Sequence, residues 1–136
     1  MPGAPFYTEK IVPFELTSAQ LLALDTTAVV IVTLQQYTGF VHFPTRIELS
    51  RQAGTAYTLT GDTRLVFTDD DNCQWFNVRA AGLLDSASAN GRVQVTDLLA
   101  ENLGNYQVTV KATTNLASGT GSLRGRMYYI DVPVDF

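Results

Sequence analysis

Hydrophobic and polar residues alternate along much of the chain with a period of two. In Tyr106–Thr113 the apolar side chains fall on one face and the polar ones on the other. Ile130–Phe136 repeats this alternation at the C-terminus. A period of two predicts β-strands with one buried face. Because proline lacks the amide proton, Pro133 predicts that its end of the strand lies at a sheet edge or points the missing donor outward.

Further strands are predicted where short β-branched or aromatic runs lie between breaks of Gly, Asn, Asp and Ser. These runs are Ile11–Leu16, Thr27–Gln35, Val41–Arg51, Ala56–Thr60, Arg64–Thr68, Gln74–Arg79 and Arg92–Thr96. The pairs Gly61-Asp62 and Asn90-Gly91 suit tight hairpin turns. Short, closely spaced strands predict an all-β fold, a β-sandwich or jelly roll, rather than βαβ units.

One short helix is predicted near the N-terminus. Thr17 and Gln20 have the spacing of a capping box, and a leucine-rich segment follows them. A second helical turn is predicted at Thr96–Leu103.

Length and composition predict a single folded domain. The chain has 136 residues, of which 46% are hydrophobic and 16% charged, which is typical of a globular protein with one core. No shift in composition marks an internal boundary. We therefore expect an N-terminal arm of residues 1–10 and one β-sandwich domain over residues 11–136.

Charge and hydropathy narrow the class of partner. Nine basic residues are scattered among thirteen acidic ones, for a net charge of −4. Nucleic-acid binding depends on clustered cations, so no nucleic-acid partner is expected. The longest apolar run, Ala28–Leu34, is too short to cross a bilayer. With no apolar leader and a single cysteine, the chain is expected to fold in a cytoplasm without an intrachain disulfide.

The residues needed for catalysis or metal binding are scarce. His42 is the only histidine and Cys73 the only cysteine, and no nucleophile motif surrounds either. We expect a structural or surface role for His42. Cys73 lies beside three carboxylates, which should raise its pKa and make it a poor nucleophile. The sequence therefore predicts no catalytic residue, no cofactor and no metal site, and the protein is not expected to be an enzyme.

Two charged clusters are candidate binding sites. Asp69-Asp70-Asp71-Asn72 has the carboxylate density of a Ca²⁺ site but lacks the spacing of a calcium loop, so a solvated loop is preferred. Arg124 and Arg126 fall on one face of a strand, where they either meet an acidic partner or form its solvent-exposed side.

The first seven residues, Met1–Tyr7, form the most distinctive candidate for partner binding. They contain Pro2, Pro5, Phe6 and Tyr7, so the segment should be extended yet apolar. It either packs over its own domain or reaches a neighbouring subunit.

The segment Ile11–Val32, IVPFELTSAQLLALDTTAVVIV, resembles the opening of small structural proteins of tailed bacteriophages. In these proteins a strand leads to a helix of the form LTxAQ(I/L)xxL, a TT step and an apolar strand. The later Gly54–Thr58 is similar to the same group. The resemblance implies a capsid decoration or cement protein: a jelly-roll homotrimer that binds the major capsid protein on the outer surface of the head.

Our interpretation is therefore a virion structural protein that stabilises the phage head. The alternative is a receptor- or carbohydrate-binding tip of a phage fibre or spike, with Tyr37, Trp75, Tyr128 and Tyr129 as exposed sugar platforms. A small cupin-like enzyme is disfavoured, because cupins usually bind their metal through several histidines.

Overall fold

The computed structural model describes residues 8–33, 39–69, 74–95 and 107–133. These ranges contain ten strands and one short helix. In chain order the elements are β1 (Lys10–Leu16), α1 (Ser18–Leu22), β2 (Val29–Thr33), β3 (Phe40–Arg51), β4 (Thr58–Leu59), β5 (Arg64–Thr68), β6 (Gln74–Arg79), β7 (Asn90–Val95), β8 (Gln107–Ala112), β9 (Leu116–Ala117) and β10 (Leu123–Pro133).

Eight strands form two four-stranded antiparallel sheets. The first sheet has the order β1-β10-β3-β7 and the second the order β2-β8-β5-β6, while β4 and β9 form a small separate ladder. β1 pairs with β10, β2 with β8, β3 with β7 and β5 with β6. The partner strands therefore follow one another in reverse chain order. An antiparallel ribbon wrapped in this way is a jelly roll, which confirms the predicted all-β sandwich.

The core lies between the two sheets, and a glycine makes part of it possible. Phe14 of β1 lies over Gly125 of β10 and reaches the ring of Phe67 in the opposite sheet, 6.2 Å away between centroids. A Cβ atom at Gly125 would stand 2.1 Å from the Phe14 ring. Gly125 therefore provides the space through which an edge strand reaches the core.

The helix α1 begins as the capping box predicts. The Thr17 hydroxyl accepts a hydrogen bond from the Gln20 amide at 3.2 Å, and the Gln20 side chain accepts one from the Thr17 amide at 2.9 Å. Leu21 and Leu24 are fully buried, so this short turn covers one end of the core. The second predicted turn, Thr96–Leu103, lies outside the described residues.

Both predicted hairpin turns are wrong. Asn90 and Gly91 open β7 and pair with Arg51 and Ser50 of β3. Gly61 has a positive φ of 67° and turns the chain, but the flanking strands β4 and β5 pair with other strands. At Gly61 the local sequence indicated a change of direction without indicating which strands would pair.

The last strand is longer and less regular than its alternation predicts. β10 begins at Leu123, and its buried face is formed by its first half rather than by Ile130 and Val132, which are half-buried. β1 pairs with β10 only as far as Tyr129. Beyond that point, within the described residues, only β3 pairs with β10, and Pro133 ends the ladder opposite Phe40.

A buried arginine holds together the loops at one end of the sandwich. Arg51, at the end of β3, is 0% exposed. Its guanidinium donates hydrogen bonds to the main-chain carbonyls of Gln52, Thr55 and Ser86 at 2.6, 2.9 and 3.3 Å. It also lies 5.0 Å from the centre of the Tyr57 ring. Burial raises the pKa of the Tyr57 hydroxyl, while the charge of Arg51 opposes that shift.

Candidate functional site: the outer face of the first sheet

The outer face of the first sheet carries a broad groove of about 890 Å³. Two rows of residues, each crossing β1, β10, β3 and β7, form most of its floor. The rows are Pro13, Arg126, Glu48 and Val93, and Glu15, Arg124, Ser50 and Gly91. Gln52 extends the lining at one end. Four of these eight residues are charged, and the apolar Pro13 and Val93 lie on the two outermost strands of the sheet.

Several apolar side chains on this face are open to solvent. Val93 and Val95 of β7 are 59% and 65% exposed, and Ile11 of β1 is 52% exposed. The neighbouring Arg92 and Gln94 are only half-exposed, so β7 turns its valines outward. Antiparallel sheets commonly bury their apolar face and expose their polar one, and β7 has the opposite orientation.

Charged side chains border the apolar positions. Arg124 donates to Glu15 across the β1–β10 pair at 2.8 Å. Arg46 stacks 3.9 Å above the Tyr128 ring and lies 3.5 Å from Glu9. Its hydrogen bond with Tyr128 raises the pKa of Arg46; desolvation opposes that shift, whereas the charge of Glu9 supports it. The face therefore combines cations and anions.

The sole histidine lies in the interior. His42 is 4% exposed. Its Nδ1 atom is 2.6 Å from Asp131 Oδ1, and its ring meets Tyr129 edge-on. Lys10 donates to the other Asp131 oxygen. Burial raises the pKa of Asp131, but the hydrogen bonds and charges of Lys10 and His42 outweigh it and lower that pKa. Of the two predicted roles for His42, this position fits the structural one, joining β1, β3 and β10.

The acidic cluster is only partly described. Asp69 follows β5 and is 2% exposed, which departs from the solvated loop that we expected there. Asp70, Asp71, Asn72 and Cys73 lie outside the described residues. In the ranges that the structure describes, no group of three or more His, Cys, Asp or Glu side chains is placed to hold a metal ion. Nor does any helix in those ranges have the length and apolar character needed to cross a bilayer.

The proposed sugar platforms are mostly buried, which corrects that prediction. Trp75 and Tyr128 are 4% and 6% exposed. Tyr128 lies beneath Arg46, and Tyr129 packs against the core beside His42. Tyr37 lies outside the described residues. Aromatic content alone did not distinguish side chains that serve the fold from those available to a ligand.

The remaining predicted site residues have different outcomes, and two exposed valines were not predicted. Arg124 and Arg126 share the exposed face of β10, as predicted. Pro2, Pro5, Phe6 and Tyr7 fall outside the described residues. Val93 and Val95 were missed, because their alternation with polar residues gives the same signal whichever face is buried. The exposed polar neighbours of β3 and β10 were the available hint that this face is open.

The fold matches chains in bacteriophage capsid structures. No protein-family model and no curated protein matches the sequence. A chain in the capsid asymmetric unit of cyanophage Pam1 is 16% identical, with a TM-score of 0.60 over 96% of this chain and 90% of that one. A chain in the acidic stable capsid structure of Helicobacter pylori bacteriophage KHP30 is 12% identical, with a TM-score of 0.58 and coverage of 96% and 97%.

A chain in the capsid of Ralstonia phage GP4 is 12% identical, with a TM-score of 0.52 over 96% of this chain and 88% of that one. These identities are too low to transfer residue roles. The likeness establishes the fold: a jelly roll of the kind present in three phage capsid structures, spanning nearly the whole chain in each.

Proposed function

We propose that the protein is a virion structural protein, a decoration or cement protein that binds the outer surface of a phage head and stabilises it. The observation that carries this proposal is the match of 96% of the chain to chains in three phage capsid structures. In each comparison the matched chain is also covered over 88% or more of its length. The phage resemblance of Ile11–Val32 supports the same function independently of the fold comparison.

The proposed mechanism is thermodynamic. A protein that binds the assembled shell but not its separated subunits shifts the assembly equilibrium toward the shell. Several subunits bound through one oligomer add avidity without any new type of contact. The partner is the major capsid protein, and the chain's own function requires no chemistry.

We propose a homotrimer as the form that binds the shell. Its support is the resemblance to trimeric phage proteins, together with the exposed Ile11, Val93 and Val95 on one sheet face. The N-terminal arm, through Pro2, Pro5, Phe6 and Tyr7, is proposed to contribute to the contacts between subunits or with the shell.

Labelling of virions tests the proposed location. Antibodies against the purified chain should label the outside of intact, DNA-filled heads from cells that carry its gene, as seen by negative-stain electron microscopy. Preimmune serum provides the control. Label at the tail or fibre tip would favour the receptor-binding alternative. Label that appears only after the heads are broken open would contradict the outer-surface location.

Removal of the arm tests the oligomer. Size-exclusion chromatography with light scattering should give the full chain a mass three times 14.9 kDa. Deletion of residues 1–7 should leave the β-rich circular-dichroism spectrum unchanged and reduce the trimer population. Burial of Phe6 alone is worth about 2 kcal/mol per subunit, so Phe6→Ala should have part of the same effect. A full chain that stays monomeric at high concentration would contradict the trimer.

A further inference from the structure

We infer that the outer face of the second sheet binds an acidic segment of a partner protein. The binding residues are a row of three cations, Lys111 of β8, Arg64 of β5 and Arg79 of β6, which we call the cationic row. The row lies on the opposite side of the sandwich from the groove, so the inference goes beyond the proposed function. The register of the sheet, the local excess of positive charge and the open nitrogen atoms of the row support it.

The register of the second sheet brings the three cations together. Arg64 and Arg79 are directly opposite each other, and Lys111 is opposite Val66, the next residue of β5 on the same face. The Cβ atoms of directly opposed residues are about 5 Å apart, and those of diagonal neighbours about 7 Å apart. The strand neighbours of the cations, such as Leu65, belong to the core, so the cations themselves lie on the outer face.

The cationic row carries more positive charge than its surroundings neutralise. Among the described residues, Asp62 alone forms ion pairs with the row: its Oδ2 atom is 3.1 Å from Arg64 Nε and its Oδ1 atom 3.6 Å from Arg79 Nε. Three cations and one carboxylate leave a local excess of two positive charges, in a chain whose net charge is −4. Like charges directly opposite each other destabilise a sheet. An anionic partner relieves this repulsion.

Other surface cations of the protein are balanced individually. Lys10, Arg46 and Arg124 each form an ion pair with a carboxylate from another part of the chain. Arg126 is opposite Glu48 in the register of β10 and β3. The excess of positive charge is therefore a local property of the cationic row and not a general property of the surface.

One cation of the row is held in place, and the other two are open to a ligand. Arg64 donates hydrogen bonds to Asp62 at 3.1 Å and to the Asn77 side-chain oxygen at 3.3 Å. In the part of the chain that the structure describes, neither the Lys111 ammonium nor the terminal nitrogens of Arg79 donate a hydrogen bond, and the Arg79 side chain is 60% exposed. An arginine binds a carboxylate through two parallel hydrogen bonds. Arg79 and Lys111 are therefore placed to bind one carboxylate each.

The size of the cationic row favours protein carboxylates over a phosphate backbone. An extended segment with acidic residues at alternate positions presents them about 7 Å apart, which is close to the spacing within the row. Nucleic-acid affinity grows with the number of phosphates neutralised, and three cations on an acidic chain neutralise few. The partner that fits is therefore an acidic, extended protein segment.

Fluorescence anisotropy with labelled hexaglutamate as the probe tests the inference on the full chain. At low ionic strength, where exposed charges are least screened, Arg79→Gln and Lys111→Gln should each raise the dissociation constant about threefold. Leu22→Glu is the matched control, because it changes the net charge by the same amount at a residue of α1 that is 38% exposed. Its dissociation constant should stay within about 1.5-fold of the native value. Asp62→Asn removes the competing carboxylate and should lower the dissociation constant.

Several results would overturn the inference. They are an absence of hexaglutamate binding, equal weakening by Leu22→Glu and Arg79→Gln, and tighter binding of an oligothymidylate of equal charge. A loss of self-association in Arg79→Gln, measured by light scattering, would assign the row to a second copy of the chain instead. Because no phage head is present in these assays, their failure is distinguishable from a failure of virion labelling.

Discussion

Arg51 shows how a single buried cation connects two loops, the one that follows β3 and the one between β6 and β7. Its guanidinium reaches carbonyls from residues 52, 55 and 86, and it lies under Tyr57, whose hydroxyl donates to the Gly121 carbonyl at 2.7 Å. The fork of donors in arginine satisfies several acceptors at once, as a lysine ammonium at the same position does not. No local motif in the sequence marks this arginine, because its partners are main-chain carbonyls, which any residue provides, and one of them, Ser86, is 35 positions away.

We expect Arg51→Met to lower the free energy of unfolding by about 2 kcal/mol or more, since it removes the guanidinium donor from the carbonyls of Gln52 and Ser86, while the Thr55 carbonyl keeps a bond from the Thr120 amide. Urea denaturation followed by circular dichroism measures this change. Arg126→Met is the matched control, because that arginine lies on the exposed face of β10 and its loss should change stability by less than about 0.5 kcal/mol. Similar midpoints for the two variants would contradict the role of Arg51.

Asp131 gives the fold a dependence on pH. Burial raises its pKa, but Lys10 and His42 together lower it, so the folded protein favours the charged carboxylate more than the unfolded chain does. The resulting stability is fully present above the ordinary pKa of 3.8 and is lost as the pH falls through the lowered folded value. The difference in unfolding free energy between wild type and Asp131→Asn should therefore shrink steadily in acid. A difference that stays constant down to pH 2 would show that Asp131 is not ionised in the fold.

At the scale of elements, local pattern predicted strands better than it predicted their pairing. β5 and β6 have the bounds that their sequence indicates, because β-branched and aromatic runs end at clear breaks. Asn90-Gly91 had the composition of a hairpin turn, yet hydrogen bonding with β3 extends β7 through it. Whether these two residues form a turn or a strand depends on pairing with a segment some forty positions away in the chain, so the local sequence alone does not predict it.

The contact between β1 and β10 yields a prediction about packing. Gly125→Ala should destabilise the fold by about 1–3 kcal/mol, because the added Cβ overlaps the Phe14 ring. Thermal unfolding should show a smaller cost in a Phe14→Leu background, where the ring is absent. Gly91→Ala is the control, since its Cβ would lie at an ordinary 3.5 Å from the Leu49 carbonyl oxygen. An equal loss of stability in both backgrounds would show that Gly125→Ala does not act through the Phe14 ring.

At the scale of the whole molecule, the sequence predicted the class of fold and two arginines of the candidate site, Arg124 and Arg126, but not the site as a whole. Alternation and turn residues lead to a sandwich, and the jelly-roll order then follows from pairing distant strands. Predicting the groove requires more information, because its floor is formed by residues from four strands, β1, β10, β3 and β7, that are not consecutive in the chain. Whether Val93 points into the core or away from it depends on the register of β7 against β3. One residue of slip would reverse the surface.

The proposed function predicts that binding of the protein makes the phage head more stable to heat. Heads stripped of the protein and then resupplied with it should release their DNA at a higher temperature than stripped heads alone, as followed with a DNA-binding dye. Because stabilisation by binding follows mass action, the release temperature should rise further with the concentration of free protein. An unrelated acidic protein at equal concentration should have no effect. A release temperature that does not depend on the concentration of the protein would contradict its proposed role in stabilising the head, even if the protein is present on the virion.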